Sequence, residues 1–142
     1  MEAMEISRSG LDVEWQRLQV IAANIANINT TRTADGGSYN ARVLVSGPVE
    51  GFTQALRAAG DRPPAHGVMV YDIAPMNGAT RQYYDPSHPH ADANGYVTVP
   101  AVSQAEEMSL MIKTTRSYEA NLVAMAAAQQ MYSSALQVGR QA

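Results

Sequence analysis

The apolar residues at the start of the chain repeat with the period of a helix. Between Met4 and Ile28 they alternate at spacings of four and three, which keeps one stripe along one side of an α-helix. Asparagine and threonine side chains follow and compete for the backbone hydrogen bonds, so we predict that the helix ends near Ile28. The predicted stripe consists of Leu11, Trp15, Leu18, Ala22 and Ile25.

A second, longer helical pattern runs from Gln104 to Val138. Ser103 followed by Glu106 forms an S-x-x-E capping box that predicts its start, and Gly139 predicts its end. At 1.5 Å per residue such a helix is about 50 Å long, and its apolar face requires a partner. The predicted stripe includes Met111, Tyr118, Leu122, Met125 and Leu136.

The stretch between these helices contains all seven prolines and eight of the ten glycines. Proline breaks helices, and short β-forming runs bounded by Asp-Gly-Gly and Asn-Gly turn signals predict strands instead. We predict strands over 39–45, 68–73, 81–84 and 96–99, and one or two helical turns over 54–59.

These patterns together predict an α+β fold with three parts. An N-terminal core helix (1–30) and a long C-terminal core helix (104–142) pack as an antiparallel, coiled-coil-like hairpin. A small β-rich middle module with loops (31–103) is inserted between them, and about seventy residues of this kind are marginally stable alone.

Composition and charge exclude several classes of protein. The chain has 142 residues, no cysteine and a net charge of −3 with Lys113 as its single lysine. Disulfides and thiolate chemistry are therefore excluded, and nucleic acid or an anionic membrane is not expected as a partner. No apolar run approaches the length of a membrane span, and the start of the chain lacks the apolar core of a cleaved secretory signal.

One loop sequence carries residues suited to metal chemistry. His88, His90 and Asp92 are spaced two apart, and His66 is a further candidate ligand for a divalent ion in a metal-binding or hydrolytic domain. The prolines around them favour an irregular loop, in which Asp and Ser side chains satisfy backbone donors instead. No nucleotide-binding, zinc-protease or hydrolase motif is present. We therefore expect no enzyme, cofactor or small-molecule substrate.

The unequal helix lengths bear on self-association. The second helical pattern is about ten residues longer than the first, so the pair cannot cover itself fully. We expect the two stripes to pack within the subunit and also against other copies. A monomeric helical-hairpin adaptor is the alternative.

Three stretches resemble one protein family. Residues 22–30, A-A-N-I-A-N-I-N-T, resemble the A-x-N-[IL]-A-N-x-x-T signature of the flagellar rod, hook and hook-associated axial proteins. The central run around 85–97 and the C-terminal helix resemble a proximal rod protein of that family. The residues that match these motifs include Asn24, Asn27, Thr30, Asp85, Pro86, His88, Gly95, Tyr96 and Asn121.

The resemblance implies a structural function. Proteins of this family are subunits of the periplasm-spanning rod of the flagellar basal body, which polymerise helically through their terminal helices and transmit torque to the distal rod and hook. They are exported by the flagellar type III apparatus without a cleaved signal peptide. The expected partners are other copies of the chain, neighbouring rod proteins and that export apparatus.

Overall fold

The computed structural model describes residues 2–49, 67–76, 78 and 80–141. Within these residues, two helices, α1 and α2, stand at the two ends and four strands lie between them. The helical turns predicted over 54–59 lie outside the described residues. The elements are α1 (Glu2–Ala26), β1 (Arg42–Pro48), β2 (Val68–Pro75), β3 (Thr80–Tyr84), β4 (Tyr96–Pro100) and α2 (Gln104–Gln141).

The two helices form an antiparallel hairpin, which confirms the predicted α+β architecture. Asn24, near the end of α1, hydrogen-bonds Glu107 near the start of α2. Gly10, near the start of α1, lies against the side chain of Asn121. Both contacts fix one register, in which the start of α1 lies level with Gln129. The last twelve residues of α2 therefore extend past α1, and we call residues 130–141 the overhang.

The seam between the helices is made largely of small and polar residues. On α1 the buried positions along it recur at spacings of three and four, as one face of a helix requires. On α2 the buried positions are Glu107 and Thr114, and the half-buried Met111, Tyr118, Asn121 and Met125 continue the same face. The α1 side of the seam includes Ser7, Gly10, Ile21 and Asn24.

The antiparallel sheet of β1 and β2 covers one side of the hairpin. Leu44 is buried against α1, and the Arg17 guanidinium donates to the Leu44 carbonyl (3.3 Å) and to Ser46 Oγ (2.7 Å). Ser9 Oγ accepts a hydrogen bond from the Val68 amide (3.0 Å) and so ties the start of β2 to α1. The ladder has an irregularity between Val45 and Ser46.

A second antiparallel pair, β3 and β4, forms a separate two-stranded sheet. Val97 and Val99 on β4 are buried, whereas every residue of β3 is exposed. Gly95, just before β4, has φ +82°, a left-handed conformation that an L side chain rarely adopts. Thr31 Oγ1 hydrogen-bonds His90 Nδ1 (2.8 Å), which joins the segment after α1 to the loop of this sheet.

Each described element lies within a few residues of its prediction. The first helix ends at Ala26, because Asn27 Nδ2 donates to the Ala23 carbonyl (2.9 Å) in the last turn. Ser103 caps α2 through its hydroxyl, which accepts from the Glu106 amide (3.4 Å). The predicted stop at Gly139 is wrong: α2 continues to Gln141, and Gly139 is not among the glycines with positive φ. In the described residues, neither helix is apolar enough along its length to cross a membrane.

Candidate assembly surface

The predicted α1 stripe lies on the side of the helix turned away from the β1–β2 sheet. Val20 marks the sheet side, because it lines cavities together with Leu44 and Ile73. At about 100° per residue, the stripe lies about 140° to 180° around α1 from Val20. Trp15 is 56% exposed. Ala22 is exposed as well, and the half-buried members are Leu11, Leu18 and Ile25.

Exposed residues of α2 lie on the same side of the hairpin. Leu110 lines a cavity of about 100 Å³ with Leu44 and Met76, so it faces the sheet. Met108, Thr115 and Leu122 lie about 120° to 160° around α2 from Leu110 and are exposed. The hairpin therefore has a side on which Trp15, Ala22, Met108, Thr115 and Leu122 are exposed and no described element covers them. We call it the uncovered face; the half-buried Leu11, Leu18 and Ile25 border it on the side of α1 nearer to α2.

The other predicted α2 residues lie elsewhere. Met111, Tyr118 and Met125 are half-buried along the seam with α1. Leu136 lies in the overhang, beyond the reach of α1, and is 53% exposed. The structure therefore places the predicted stripe residues of α2 in three separate environments.

Asn24 is the most heavily bonded side chain of the family signature. It is 1% exposed, and its amide forms four hydrogen bonds. Nδ2 donates to the Arg42 carbonyl (2.8 Å) and to Glu107 Oε2 (3.3 Å). Oδ1 accepts from the Arg42 amide and from the Tyr39 hydroxyl, both at 3.0 Å. Every donor and acceptor site of the amide is used, which joins α1, β1 and α2 at one point.

Glu107 is a buried carboxyl at this junction. Burial raises the pKa of Glu107, the hydrogen bond from Asn24 opposes the shift, and the neighbouring Glu106 adds to it. The side chain is 4% exposed and no salt bridge to it is found among the described residues. The junction therefore holds a carboxyl whose charged form is disfavoured.

The remaining signature residues shape the end of α1. Asn27 bonds back into the helix, as described above, and its Oδ1 accepts from the Thr30 hydroxyl (3.1 Å). The Thr30 carbonyl accepts from the Tyr39 amide (3.2 Å). These bonds fold the chain back toward β1, where Asn24 holds it.

The central motif residues form turns. Asp85 Oδ1 accepts from the amide and hydroxyl of Ser87 (3.1 and 2.6 Å), and the hydroxyl bond lowers the pKa of Asp85. Asp92 Oδ1 accepts from the amides of Asn94 and Tyr96. Pro86 lies close to Gly95 at the base of this turn, and the Tyr96 ring packs edge-on against Tyr84.

The ring nitrogens of the two histidines in this loop hydrogen-bond a backbone amide and a threonine hydroxyl. His88 Nδ1 accepts from the His90 amide (3.0 Å), and His90 Nδ1 bonds Thr31. Among the described residues, no three His, Asp or Glu side chains come together as a metal would require. His66 lies outside the described residues. The arrangement therefore matches the turn interpretation of the loop.

Sequence reasoning missed the residues that join the elements: Ser9, Gly10, Arg17 and Glu107. Gly10 and Arg17 belong to a stripe of small, polar and charged residues on α1, which a search for apolar periodicity passes over. Ser9 lies on the side of α1 that contacts β2, and Glu107 is near the start of α2. The available signal was the 3-4 spacing itself, because Ser7, Gly10, Glu14, Arg17, Ile21 and Asn24 repeat with the same period as the apolar stripe.

Comparison with known proteins identifies the class. The family model described as "Flagella basal body rod protein" matches residues 4–32, which include α1 and the segment that follows it. The model described as "Flagellar basal body rod FlgEFG protein C-terminal" matches residues 93–138, from the Gly95 turn through β4 and most of α2. Both terminal helices thus carry the sequence features of flagellar basal-body rod proteins.

Similarity over nearly the whole chain identifies the particular family. The flagellar basal-body rod protein FlgC of Bacillus subtilis is 33% identical over 97% of this chain and 97% of its own length. FlgC of Aquifex aeolicus is 34% identical over 92% and 90%, and FlgC of Salmonella typhimurium 31% over 99% and 98%. The chain belongs to the FlgC family of flagellar basal-body rod proteins.

Proposed function

We propose that this chain is a structural subunit of the flagellar basal-body rod, in its proximal segment. Its similarity to FlgC proteins from end to end supports the assignment. The structural observation that carries it is the uncovered face, because an exposed tryptophan within an apolar helical stripe is typical of a surface that binds another protein.

We further propose that subunits polymerise helically through their terminal helices. The uncovered face and the overhang are different surfaces, so a contact that uses both is heterologous. Such contacts form an open filament when the rotation between subunits does not close a ring. Torque would then pass through many parallel helix contacts to the distal rod and hook, and the β sheets would brace neighbouring subunits.

The proposed partners are other copies of the chain, neighbouring rod proteins and the flagellar type III export apparatus. We place the assembled subunit in the rod across the periplasm, reached without a cleaved signal peptide. We assign it no catalytic activity and no cofactor. The turn bonding of Asp85, His88 and Asp92 supports a structural use of the central loop.

Deletion of the gene, followed by electron cryotomography of the cell envelope, tests the assignment. We expect cells that keep the inner-membrane ring and lack rod, hook and filament. Re-expression of the parent chain from a plasmid should restore all three. Normal flagella in the deletion strain would overturn the assignment.

A further inference from the structure

A polar cleft lies where the segment after α1 meets the loop before β4. Its volume is about 500 Å³, and residues of the segment 31–40 and of the loop 89–92 line it. Tyr96 and Thr98, which project from the same face of β4, complete the described lining. Part of the cleft is therefore built by the family-like run 85–97, whose turns the rod assignment leaves without a function of their own.

Hydrogen bonds within the chain hold the cleft in shape. Thr31 Oγ1 bonds His90 Nδ1 (2.8 Å) and joins the segment to the loop. The Thr33 hydroxyl donates to the Gly37 carbonyl (3.0 Å), and Asp92 Oδ1 accepts from two backbone amides of its own turn. A site that is already shaped in this way costs a ligand little ordering of the protein.

Several polar side chains of the cleft have bonding capacity left over. Arg32 and Asn40 are exposed, and among the described residues neither side chain forms a hydrogen bond or a salt bridge. The turn amides of Asp92 use Oδ1, which leaves Oδ2, and the bond to Thr31 uses one of the two ring nitrogens of His90. The lining therefore offers guanidinium, amide, carboxylate and imidazole groups to a ligand.

The chemistry of the lining favours a neutral ligand that is rich in hydroxyl groups. The lining holds one arginine and one aspartate, Arg32 and Asp92, so its charge selects neither an anion nor a cation. Its apolar groups are few, namely Pro89, Ala91 and the Tyr96 ring, whereas sites for apolar small molecules are lined mostly by such groups.

Sugar hydroxyl groups meet these requirements. A hydroxyl both donates and accepts, so a pair of neighbouring hydroxyls matches the paired donors of a guanidinium, the two oxygens of a carboxylate, or the donor and acceptor of an amide. The C–H face of a sugar ring is apolar and fits the face of a tyrosine ring, and Tyr96 is 44% exposed.

We propose that the polar cleft binds a neutral saccharide. An extended peptide fits the cleft less well, because Tyr96 and Thr98 present a face of β4 rather than a strand edge, and the described lining has no apolar pocket for an anchoring side chain. Saccharide binding goes beyond the rod assignment and is independent of it, since it is a property of the single chain.

NMR titration of the full chain, labelled with ¹⁵N, tests the proposal. The probes are the uncharged tetramers of N-acetylglucosamine and of glucose, each compared with its single sugar. We expect shifts of the Gly37, Asn40 and Tyr96 amides, with a Kd at or below about 1 mM for at least one tetramer. A tetramer that binds at least about tenfold more tightly than its single sugar identifies a glycan strand as the source, and equal affinities identify a single sugar.

Two cleft variants and a matched control locate the site. Arg32→Ala should weaken binding at least about tenfold and Asn40→Ala about threefold, because each removes hydrogen bonds to the ligand. The control is Arg81→Ala, which removes the same charge from an exposed position on β3 outside the cleft and should bind like the parent. The amide spectrum of each variant shows directly whether it is folded.

Three results would overturn the proposal. One is the absence of cleft shifts with both tetramers at about tenfold above the expected Kd. Another is unchanged affinity in both folded cleft variants. The third is a set of cleft shifts produced by an uncharged tetrapeptide and by neither tetramer, which would assign the cleft to peptides. None of them affects the rod assignment, which rests on the deletion strain.

Discussion

The side-chain amide of Asn24 hydrogen-bonds four groups of the protein. Its oxygen faces the Arg42 amide and the Tyr39 hydroxyl, and its nitrogen faces the Arg42 carbonyl and the Glu107 carboxyl. Aspartate has the same shape but only acceptors, and leucine has neither donors nor acceptors. Only an amide of this length meets all four groups, which gives the first asparagine of the A-x-N signature a physical role in this chain.

Because Gly10 has no side chain, the backbone of α1 lies directly against the side chain of Asn121 on α2. A methyl group there would lie 2.8 Å from Asn121 Oδ1, too close for an unshifted neighbour. The intrinsic helix preference acts in the opposite direction, because alanine stabilises a helix by about 1 kcal/mol relative to glycine. We expect Gly10→Ala to lower the free energy of unfolding by about 1 kcal/mol, and to raise it by roughly 0.5–1 kcal/mol when Asn121→Ala is also present.

Urea unfolding of the four proteins in this double-mutant cycle measures the effect. The coupling between the two positions, which is the difference between the two effects of Gly10→Ala, should be about 1.5–2 kcal/mol. An equal stabilisation by Gly10→Ala in both backgrounds would show that Asn121 swings aside at no cost, and the proposed close contact would be wrong.

The buried Glu107 predicts a pH dependence with a definite sign. Burial raises its pKa in the folded chain, so the folded state holds the proton more tightly than the unfolded state. This group therefore lowers stability as the pH rises from its ordinary value of 4.5 through the raised pKa. We expect Glu107→Gln to remove that decline and to raise the unfolding midpoint temperature at neutral pH.

Thermal unfolding across about pH 4 to 8 measures the difference between the parent and Glu107→Gln, because this range begins just below the ordinary pKa of 4.5 and ends well above it. Asp85, whose pKa is lowered by the Ser87 hydroxyl, acts with the opposite sign and below its ordinary value of 3.8. The two groups are thus separated on the pH axis. Parallel curves for the two proteins would contradict a charged, buried Glu107.

At the scale of the elements, periodicity predicts the helices well and their mutual seam poorly. The Leu11–Ile25 stripe is the most apolar one on α1, and yet the seam with α2 uses Gly10 and Asn24. A seam between two close helices favours small side chains and satisfied polar groups, whereas the larger apolar residues remain for other surfaces. Apolar periodicity alone cannot tell an internal seam from an external one.

The strands were predictable for a different reason. The turn before β4 needs a residue with positive φ, and Gly95 in the Asn-Gly pair supplies it. Alternation along Tyr96–Pro100 then leaves Val97 and Val99 buried. The pairing of β1 with β2 was not predicted, because it depends on contacts far apart in sequence, such as that of Ser9 with Val68.

The junction of α1, β1 and α2 should fail when Asn24 becomes aspartate. Asn24→Asp removes both amide donors and brings a second carboxylate beside Glu107, so we expect a loss of about 3 kcal/mol in unfolding free energy at neutral pH. Adding Glu107→Gln supplies a donor for the new carboxylate and should recover part of that loss. Urea unfolding of both variants checks this. No recovery in the double variant would show that the carboxyl at position 107 is not the cause.

At the scale of the whole molecule, one side of the hairpin is covered by a sheet and the other side is exposed to solvent. The β1–β2 sheet covers one side through Leu44 and the Arg17 hydrogen bonds. The other side keeps Trp15 and Leu122 in solvent in the single chain. The sequence motifs pointed to an assembling protein, but the location of the free surface depends on where the sheet packs. That placement follows from tertiary contacts that no local pattern encodes.

A charge on the uncovered face should therefore block assembly without unfolding the subunit. Leu122 is 47% exposed, so Leu122→Asp should leave the free energy of unfolding of the isolated chain within about 0.5 kcal/mol of the parent. In a rod the same carboxylate would be buried without a partner, at a cost of several kcal/mol per contact. We expect cells that export the variant but form no rod and do not swim, as scored by motility in soft agar and cryotomography.

The control variant is Val123→Asp, which lies one residue further on, at a position that is 69% exposed. Its charge points away from α1, so cells that carry it should swim. Swimming by both variants would mean that this face stays in solvent in the rod.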